Sequence, residues 1–188
     1  IFYPIHIYMK PHFKNKDYYM FLKYLNKVES YFEFGSGGST FEASQNLGIK
    51  KIISVESDPE WHNLLKNKIQ NKEKINFIYC DMKTKPKTWG NPGECSTLQD
   101  WKNYSDQAIL VKDMEMILID GRFRVACCLK CFNYMNDNSV ILFDDFIVRK
   151  PYHTVLNYFK IIEYTADKNM VVLKKKNVSA PTADIISK

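Results

Sequence analysis

Residues 30–56 read SYFEFGSGGSTFEASQNLGIKKIISVE, and this stretch decides the fold class. The run from Ser30 to Phe34 ends abruptly in glycine, which predicts a strand followed by a turn. The next residues predict a helix over 39–47, because Gly48 directly after them is a common C-terminal signal. Lys51 to Glu56 predicts a second strand. A strand, a glycine turn, a helix and a strand in this order favour a parallel pair with a crossover helix.

The same alternation continues outward from this stretch in both directions. The other predicted elements are helices over 15–29, 58–71, 125–135 and 152–159, and strands over 75–80, 115–119, 139–143, 161–165 and 170–174. Strands that alternate with helices predict an α/β fold, here a mostly parallel, doubly wound, Rossmann-like sheet of seven strands. We expect helices on both faces of this sheet and an antiparallel last strand.

The length of 188 residues fits one domain. We divide it into a leading helical segment (1–29), a lid-like loop (82–103), a tail (176–188) and the sheet with its helices. The loop is polar, contains Pro and Gly, and is longer than ordinary connections, which is typical of a functional loop. Because the chain begins at Ile1 rather than Met, it is compatible with a piece of a longer polypeptide. A homo-oligomer is also compatible with the sequence.

Charge and cysteine content narrow the functional classes. The net charge is +6, but 24 of the 27 basic residues are dispersed lysines, which argues against a nucleic-acid partner. Five cysteines are an odd number and favour a reducing compartment, hence the cytoplasm. Cys128 and Cys131 form a CxxC without further metal ligands nearby, so we expect core thiols. The apolar run 1–9 is too short to span a membrane.

Parallel sheets bind ligands beyond the carboxyl ends of their strands. The residues at those ends are Gly35 to Gly38, Glu56, Asp81, Asp120 and Asp144. Glycines let the backbone pass close beneath a ligand, and a carboxylate at the end of the second strand can accept both hydroxyls of a ribose. This pattern predicts a nucleoside site. A dinucleotide remains an alternative, although the third glycine of GxGxxG would fall at Thr40.

The ExGxGG pattern of Glu33 to Gly38 is similar to the first motif of class I S-adenosylmethionine-dependent methyltransferases. Between Tyr31 and His153 the stretches YFEFGSGGST, SVESDPEW, WGNP, LIDGRFRVACCLK and ILFDDF also resemble an IDGRFR-type branch of Rossmann-fold methyltransferases. The resemblance implies that Glu33 approaches the methionine ammonium and that Asp81 contacts the adenine. The cofactor-binding residues that it implies are Glu33, Gly35, Ser36, Gly37, Ser39, Thr40, Glu56, Ser57, Asp81, Met82, Trp89, Gly90 and Asp120.

Acidic residues after the fourth and fifth strands predict the chemical end of the site. Asp120, Asp144 and Asp145 are similar to the metal-binding acids of catechol and macrocin O-methyltransferases, which implies Mg²⁺ or Mn²⁺. The IDGRFR type is more often metal-free, so Asp145 as a cap or ion-pair partner stays open. The predicted catalytic residues are Asp120, Asp144, His153 and Arg122.

Several of these side chains have a second interpretation. Arg122, Arg124 and Arg149 would hold an acidic or hydroxylated substrate, or Arg122 would pair with Asp120 or Asp144. His153 is either a general base or a packing residue, and Trp89 with Gly90 is either a lid or a packing anchor. The favoured function is O-methylation of a small hydroxylated acceptor, such as a sugar of a glycan. A non-catalytic cofactor-binding module and an NAD(P)-dependent oxidoreductase are the alternatives.

Overall fold

The computed structural model describes residues 9–85, 87–167 and 169–186, so the first eight residues of the leading segment lie outside it. A seven-stranded sheet with the order β3-β2-β1-β4-β5-β7-β6 forms its centre. The strands are β1 Ser30–Phe34, β2 Lys51–Glu56, β3 Ile75–Tyr79, β4 Met116–Ile119, β5 Val140–Phe143, β6 Phe159–Tyr164 and β7 Val171–Lys175. Strands β1 to β5 pair in parallel, and β7 runs antiparallel to both β5 and β6. The predicted fold class is confirmed.

Helices cover both faces of the sheet. They are α1 Asn15–Leu25, α2 Gly38–Gln45, α3 Pro59–Lys68, α4 Leu98–Asp106, α5 Arg124–Cys131 and α6 Ala183–Ile186, with 3₁₀ helices at Gln107–Val111 and Lys150–Asn157. Alternate residues of a strand point to opposite faces. Phe32 and Phe34 accordingly pack in the cluster that includes α5, whereas Tyr31 packs with Phe21 and Leu25 of α1. The sheet is therefore buried on both sides, as a parallel sheet requires.

Some predicted boundaries were wrong. The loop predicted over 82–103 ends earlier, because Thr97 begins α4 with a capping box: its Oγ1 accepts from the Asp100 amide at 3.2 Å, and the Asp100 carboxylate accepts from the Thr97 amide at 2.8 Å. The helix predicted over 152–159 is a 3₁₀ helix that ends at Asn157. Phe159 instead begins β6, since it is fully buried and pairs with Lys175 of β7.

The cysteines are all free thiols, and their environments differ. Cys127, Cys128 and Cys131 of α5 are fully buried in the core, where desolvation raises the pKa of each thiol above its ordinary value. Cys95, in the loop before α4, is exposed. No helix in the part of the chain that the structure describes is long and apolar enough to cross a membrane.

Candidate functional site

A cavity of about 480 Å³ lies at the carboxyl ends of the central strands. Its size falls within the roughly 300–1,000 Å³ of small-molecule sites. Three strands contribute residues: Gly35 to Gly37 follow β1, Glu56 ends β2, and Asp120 follows β4. The other lining residues are Met9, Lys10, Pro11, His12, Phe13, Gly38, Ser39, Ser57, Asp58, Trp61, Lys87, Trp89, Gly90, Tyr104, Gly121 and Arg122.

The turn after β1 requires glycine at Gly35. Its φ of +93° lies in the left-handed region, and a Cβ there would lie 2.7 Å from the Gly121 nitrogen. At Gly37 a Cβ would meet only Trp61 Nε1, at 3.9 Å, so it would take up space in the cavity. The Gly37 amide donates to Thr40 Oγ1 at 2.9 Å, which fixes the turn against the start of α2. This backbone leaves room for a ligand directly above it.

Glu56 connects the end of β2 to the glycine turn. Its carboxylate accepts from the amides of Ser36 at 3.0 Å, Ser57 at 2.6 Å and Asp58 at 2.8 Å. The residue is only 6% exposed. Burial raises the pKa of Glu56 to about 7, although the three N–H donors favour the charged form and oppose this shift. Glu56 is thus a fixed acceptor that lines the cavity.

Glu33, for which the resemblance implied a contact with the methionine ammonium, does not line this cavity. The carboxylate is fully buried and accepts hydrogen bonds from Tyr31 at 2.7 Å, Ser39 at 2.6 Å, Ser54 at 2.7 Å, and Thr40. Desolvation raises its pKa, and the four hydroxyl groups oppose the shift. Glu33 therefore joins β1, β2 and α2, while Ser39 lines the cavity in front of it.

The two residues predicted at the end of β3 do not line the cavity either. Asp81 is exposed, accepts from the Lys83 amide at 2.8 Å and pairs with Lys83 Nζ at 2.5 Å. Met82 is fully buried in the core. The aromatic surface near β2 comes instead from Trp61 of α3, whose Nε1 donates to the Ser36 carbonyl at 2.7 Å. Asp81 and Met82, for which the resemblance implied adenine contacts, thus lie outside the lining of the cavity.

Two segments close the cavity from outside. In the predicted lid, Gly90 has a φ of +72° and its carbonyl accepts from Ser57 Oγ at 3.1 Å. Trp89 is 71% exposed, and its ring meets His12 edge-on at 5.4 Å. His12 belongs to the second segment, residues 9–13, which we call the strap. The strap passes so close to α2 that a Cβ at Gly38 would lie 2.3 Å from the Pro11 nitrogen.

The three predicted metal ligands converge, but on a guanidinium group. Arg124 lies 2.9 Å from Asp120 Oδ1, 3.7 Å from Asp144 Oδ2 and 3.5 Å from Asp145 Oδ2. Within residues 9–85, 87–167 and 169–186 no group of three or more His, Cys, Asp or Glu side chains could hold a metal ion. The predicted Mg²⁺ or Mn²⁺ site is therefore not supported, because the Arg124 guanidinium already lies among these carboxylates.

Asp144 lies behind Asp120 rather than in the cavity. It is 7% exposed, and the Asn169 side-chain amide donates both to Asp144 at 3.0 Å and to the buried Asp17 at 2.9 Å. Burial and the neighbouring carboxylates raise the pKa of Asp144, and burial also raises that of Asp120, against the effect of Arg124. Asp120 is the member of this cluster that reaches the cavity.

The remaining predicted side chains divide clearly. His153 does not line the cavity: its Nε2 lies 3.2 Å from the Phe146 carbonyl and its ring stacks on Phe146. A role of His153 as general base therefore lacks a contact with the site. Arg149 donates to Asp145 at 2.7 Å. Arg122 lines the cavity and donates to Asn91 of the lid at 3.0 Å.

The strap, Trp61, Tyr104 and Gly121 line the cavity but were not predicted from the sequence. The close approach at Gly121, where a Cβ would lie 2.0 Å from the Tyr104 hydroxyl oxygen, is signalled only by a glycine directly after the Asp at the end of β4. The close approach of the strap is likewise signalled in the sequence only by Gly38, a glycine at the start of α2.

Comparison with known proteins shows the fold. No protein-family model matches the chain, and no curated protein matches it significantly. A methyltransferase-like protein from Silicibacter pomeroyi shares 23% identity over 95% of this chain and 94% of its own, with a TM-score of 0.79. A ribosomal protein L11 methylase from Lactobacillus delbrueckii shares 12% identity over 89% of this chain and 82% of its own, with a TM-score of 0.57. Fibrillarin from Aeropyrum pernix, solved with natively bound S-adenosylmethionine, shares 13% identity over 79% of this chain and 66% of its own, with a TM-score of 0.51. The architecture is therefore the Rossmann-like methyltransferase fold.

Proposed function

We propose that the protein binds S-adenosylmethionine and methylates a hydroxyl of a small acceptor, such as a sugar of a glycan. The observation that carries this proposal is the meeting of the glycine turn, Glu56 and Asp120 at one cavity. The fold shared with fibrillarin, whose structure contains bound S-adenosylmethionine, supports the choice of cofactor. The five free thiols support a cytoplasmic setting.

The residues present fit this cofactor. Glu56 would accept the ribose hydroxyls, and the backbone of Gly35 to Gly37 would pass beneath the ligand, because a Cβ at Gly37 would fill that space. Trp61 and Trp89 would cover it with aromatic surface. When bound, S-adenosylmethionine would supply an electrophilic methyl group on a sulfonium centre.

The chain's own contribution to transfer is assigned to Asp120. It is the partly buried carboxylate after β4 that lines the cavity, and Arg124 holds its Oδ1 at 2.9 Å, so its free lone pairs are oriented. A raised pKa makes a carboxylate a better acceptor for the proton of an attacking hydroxyl near neutral pH. Asp144 lies outside the cavity and contacts Arg124 Nη1, whereas Asp120 contacts Nη2 of the same guanidinium. Asp144 therefore serves as a positioning residue, because it helps to hold Arg124 against Asp120.

Ligand-dependent stabilisation tests the proposal first, because a ligand stabilises the state that it binds. We expect S-adenosylhomocysteine to raise the melting temperature and NADH to leave it unchanged. Glu56→Gln should abolish the rise, and Glu60→Gln, an exposed neighbour on α3, should keep it. Stabilisation by NADH alone would replace the methyltransferase assignment with an oxidoreductase.

Turnover is tested separately with labelled S-adenosylmethionine and a panel of neutral and acidic sugars. We expect transfer by the wild type, and a loss of at least about a hundredfold in Asp120→Asn with cofactor binding retained. Cofactor binding without transfer to any acceptor would identify a non-catalytic module instead.

A further inference from the structure

Arg122 is a cationic side chain of the cavity wall that has no acidic partner in the described residues. Its Nη1 donates to Asn91 Oδ1 at 3.0 Å. Its Nε is buried and has no hydrogen-bond partner within the described ranges. The other two arginines differ, because Arg124 pairs with three carboxylates and Arg149 pairs with Asp145. Arg122 is therefore the arginine whose charge is left for a ligand.

The backbone next to Arg122 adopts an unfavourable conformation. Phe123 has a φ of +50°, a conformation that a bulky side chain rarely adopts. Gly121 cannot carry a side chain, since a Cβ would lie 2.0 Å from the Tyr104 hydroxyl oxygen. This turn directs Arg124 into the acid cluster and leaves Arg122 on the cavity wall. Strained residues of this kind concentrate at ligand sites.

The free part of the guanidinium has a defined chemistry. Nη1 is held by Asn91 and Nε is buried, so Nη2 is the guanidinium nitrogen left to donate to a ligand. A carboxylate accepts a strong, charge-assisted hydrogen bond from such a donor. Because no acidic side chain of the described residues pairs with Arg122, an anion in the cavity would supply the missing partner.

We propose that Arg122 binds the carboxylate of an anionic acceptor, so that the substrate class is a hydroxylated carboxylic acid. The inference rests on the proposed function, and it adds the charge of the acceptor. The position of Arg122 in the fold favours binding of a carboxylate of the acceptor over binding of the carboxylate of the cofactor. Arg122 follows Asp120 by two residues beyond β4, whereas the ribose acceptor Glu56 ends β2.

The first arm of the test separates the two sources of a carboxylate by calorimetry. S-adenosylhomocysteine carries a carboxylate, and 5′-methylthioadenosine carries the nucleoside without one. We expect Arg122→Gln to bind both with wild-type affinity. If Arg122→Gln weakens S-adenosylhomocysteine selectively, Arg122 binds the cofactor and the proposal is wrong. If the wild type binds neither nucleoside, the proposed function itself fails.

The second arm measures acceptor binding to the complex with S-adenosylhomocysteine. The probes are two matched pairs, D-glucuronate with D-glucose and 4-hydroxybenzoate with 4-hydroxybenzyl alcohol. We expect the wild type to prefer the carboxylate of at least one pair, and Arg122→Gln to lose roughly 10- to 100-fold in affinity for it. Arg122→Lys keeps the charge with a different donor geometry, and its affinity should fall between those of the wild type and Arg122→Gln.

Lys102→Gln is the matched control, because it removes the same charge from an exposed position on α4. It should retain the wild-type preference. Circular dichroism spectra and melting curves of both Arg122 variants should match those of the wild type, which would show that the variants fold normally. A wild type without preference for either carboxylate, or an Arg122→Gln variant that keeps the preference, overturns the proposal.

Discussion

Lowering the pH from 8 to 6 should weaken the binding of 5′-methylthioadenosine about tenfold. Burial raises the pKa of Glu56 to about 7, so about nine-tenths of Glu56 is ionised at pH 8 and about one-tenth at pH 6. Ribose hydroxyls donate hydrogen bonds, and the ionised carboxylate is the form that accepts them. Binding therefore favours deprotonation, and the affinity should follow the ionised fraction. This nucleoside has neither an amino acid ammonium nor a carboxylate, so the ligand does not titrate in this range.

Calorimetry between pH 6 and 8 measures this dependence. At pH 6 each binding event should release close to one proton, and the observed heat should then change with the ionisation enthalpy of the buffer. Glu56→Gln should bind weakly with the same affinity at both values, and Glu60→Gln should behave as the wild type. A wild-type affinity that is flat over the range refutes the argument. A Glu56→Gln variant that keeps the tenfold change would move the titration to another group, of which Asp120 is the first candidate.

The same shift has the opposite sign for the stability of the unliganded protein. The pKa of Glu56 in the folded state lies above the ordinary value of 4.5, so the folded state holds the proton more tightly than the unfolded chain. Relative to Glu56→Gln, the wild type should lose on the order of 3 kcal/mol of unfolding free energy as the pH rises from about 4.5 to about 7. Urea titrations of both proteins at several pH values test this, and equal curves would contradict it.

Three further perturbations test other parts of the structure. Gly38→Ala places a Cβ 2.3 Å from the strap, so the affinity for S-adenosylhomocysteine measured by calorimetry should fall about tenfold or more. Gly48→Ala is the control, because its Cβ would lie 3.2 Å from a side-chain oxygen, and it should keep the wild-type affinity. Arg124→Met leaves three carboxylates without their cation and should lower the unfolding free energy by about 3–5 kcal/mol in urea, against less than about 1 kcal/mol for the half-exposed Arg149→Met. Millimolar Mg²⁺ should give the same melting temperature as EDTA. A melting temperature several degrees higher in Mg²⁺ would support the predicted metal site.

The central part of the fold was readable from the sequence because it depends on local signals. The predicted bounds of β1 and β2 agree with the structure to the residue, since glycine or a capping aspartate follows each strand. The start of α4 was also encoded locally, in Thr97 and Asp100, but the flanking polar loop obscured it. The 3₁₀ helix before β6 was not readable, because its end is set by the pairing of Phe159 with a strand that comes later in the chain.

The site was predictable where the topology alone places a residue. Glu56 and Asp120 reach the cavity because they stand at the carboxyl ends of β2 and β4, the two parallel strands on either side of β1. The motif resemblance implied ligand contacts for Glu33 and Asp81, and in the structure hydroxyl groups contact Glu33 and a lysine pairs with Asp81. Those partners depend on side-chain directions and on turns with positive φ, such as the one at Lys83, which residue spacing does not report.

The distribution of the cysteines gives the protein an intrinsic attachment point. Thiol reagents react with the thiolate, and the buried thiols of α5 are both shielded and held protonated. Cys95 is exposed, and it lies in the loop between the lid tryptophan and α4. A maleimide fluorophore should therefore attach there in the native, unmutated protein. Its emission would report movement of the loop as a nucleoside enters, on the time scale of stopped-flow mixing.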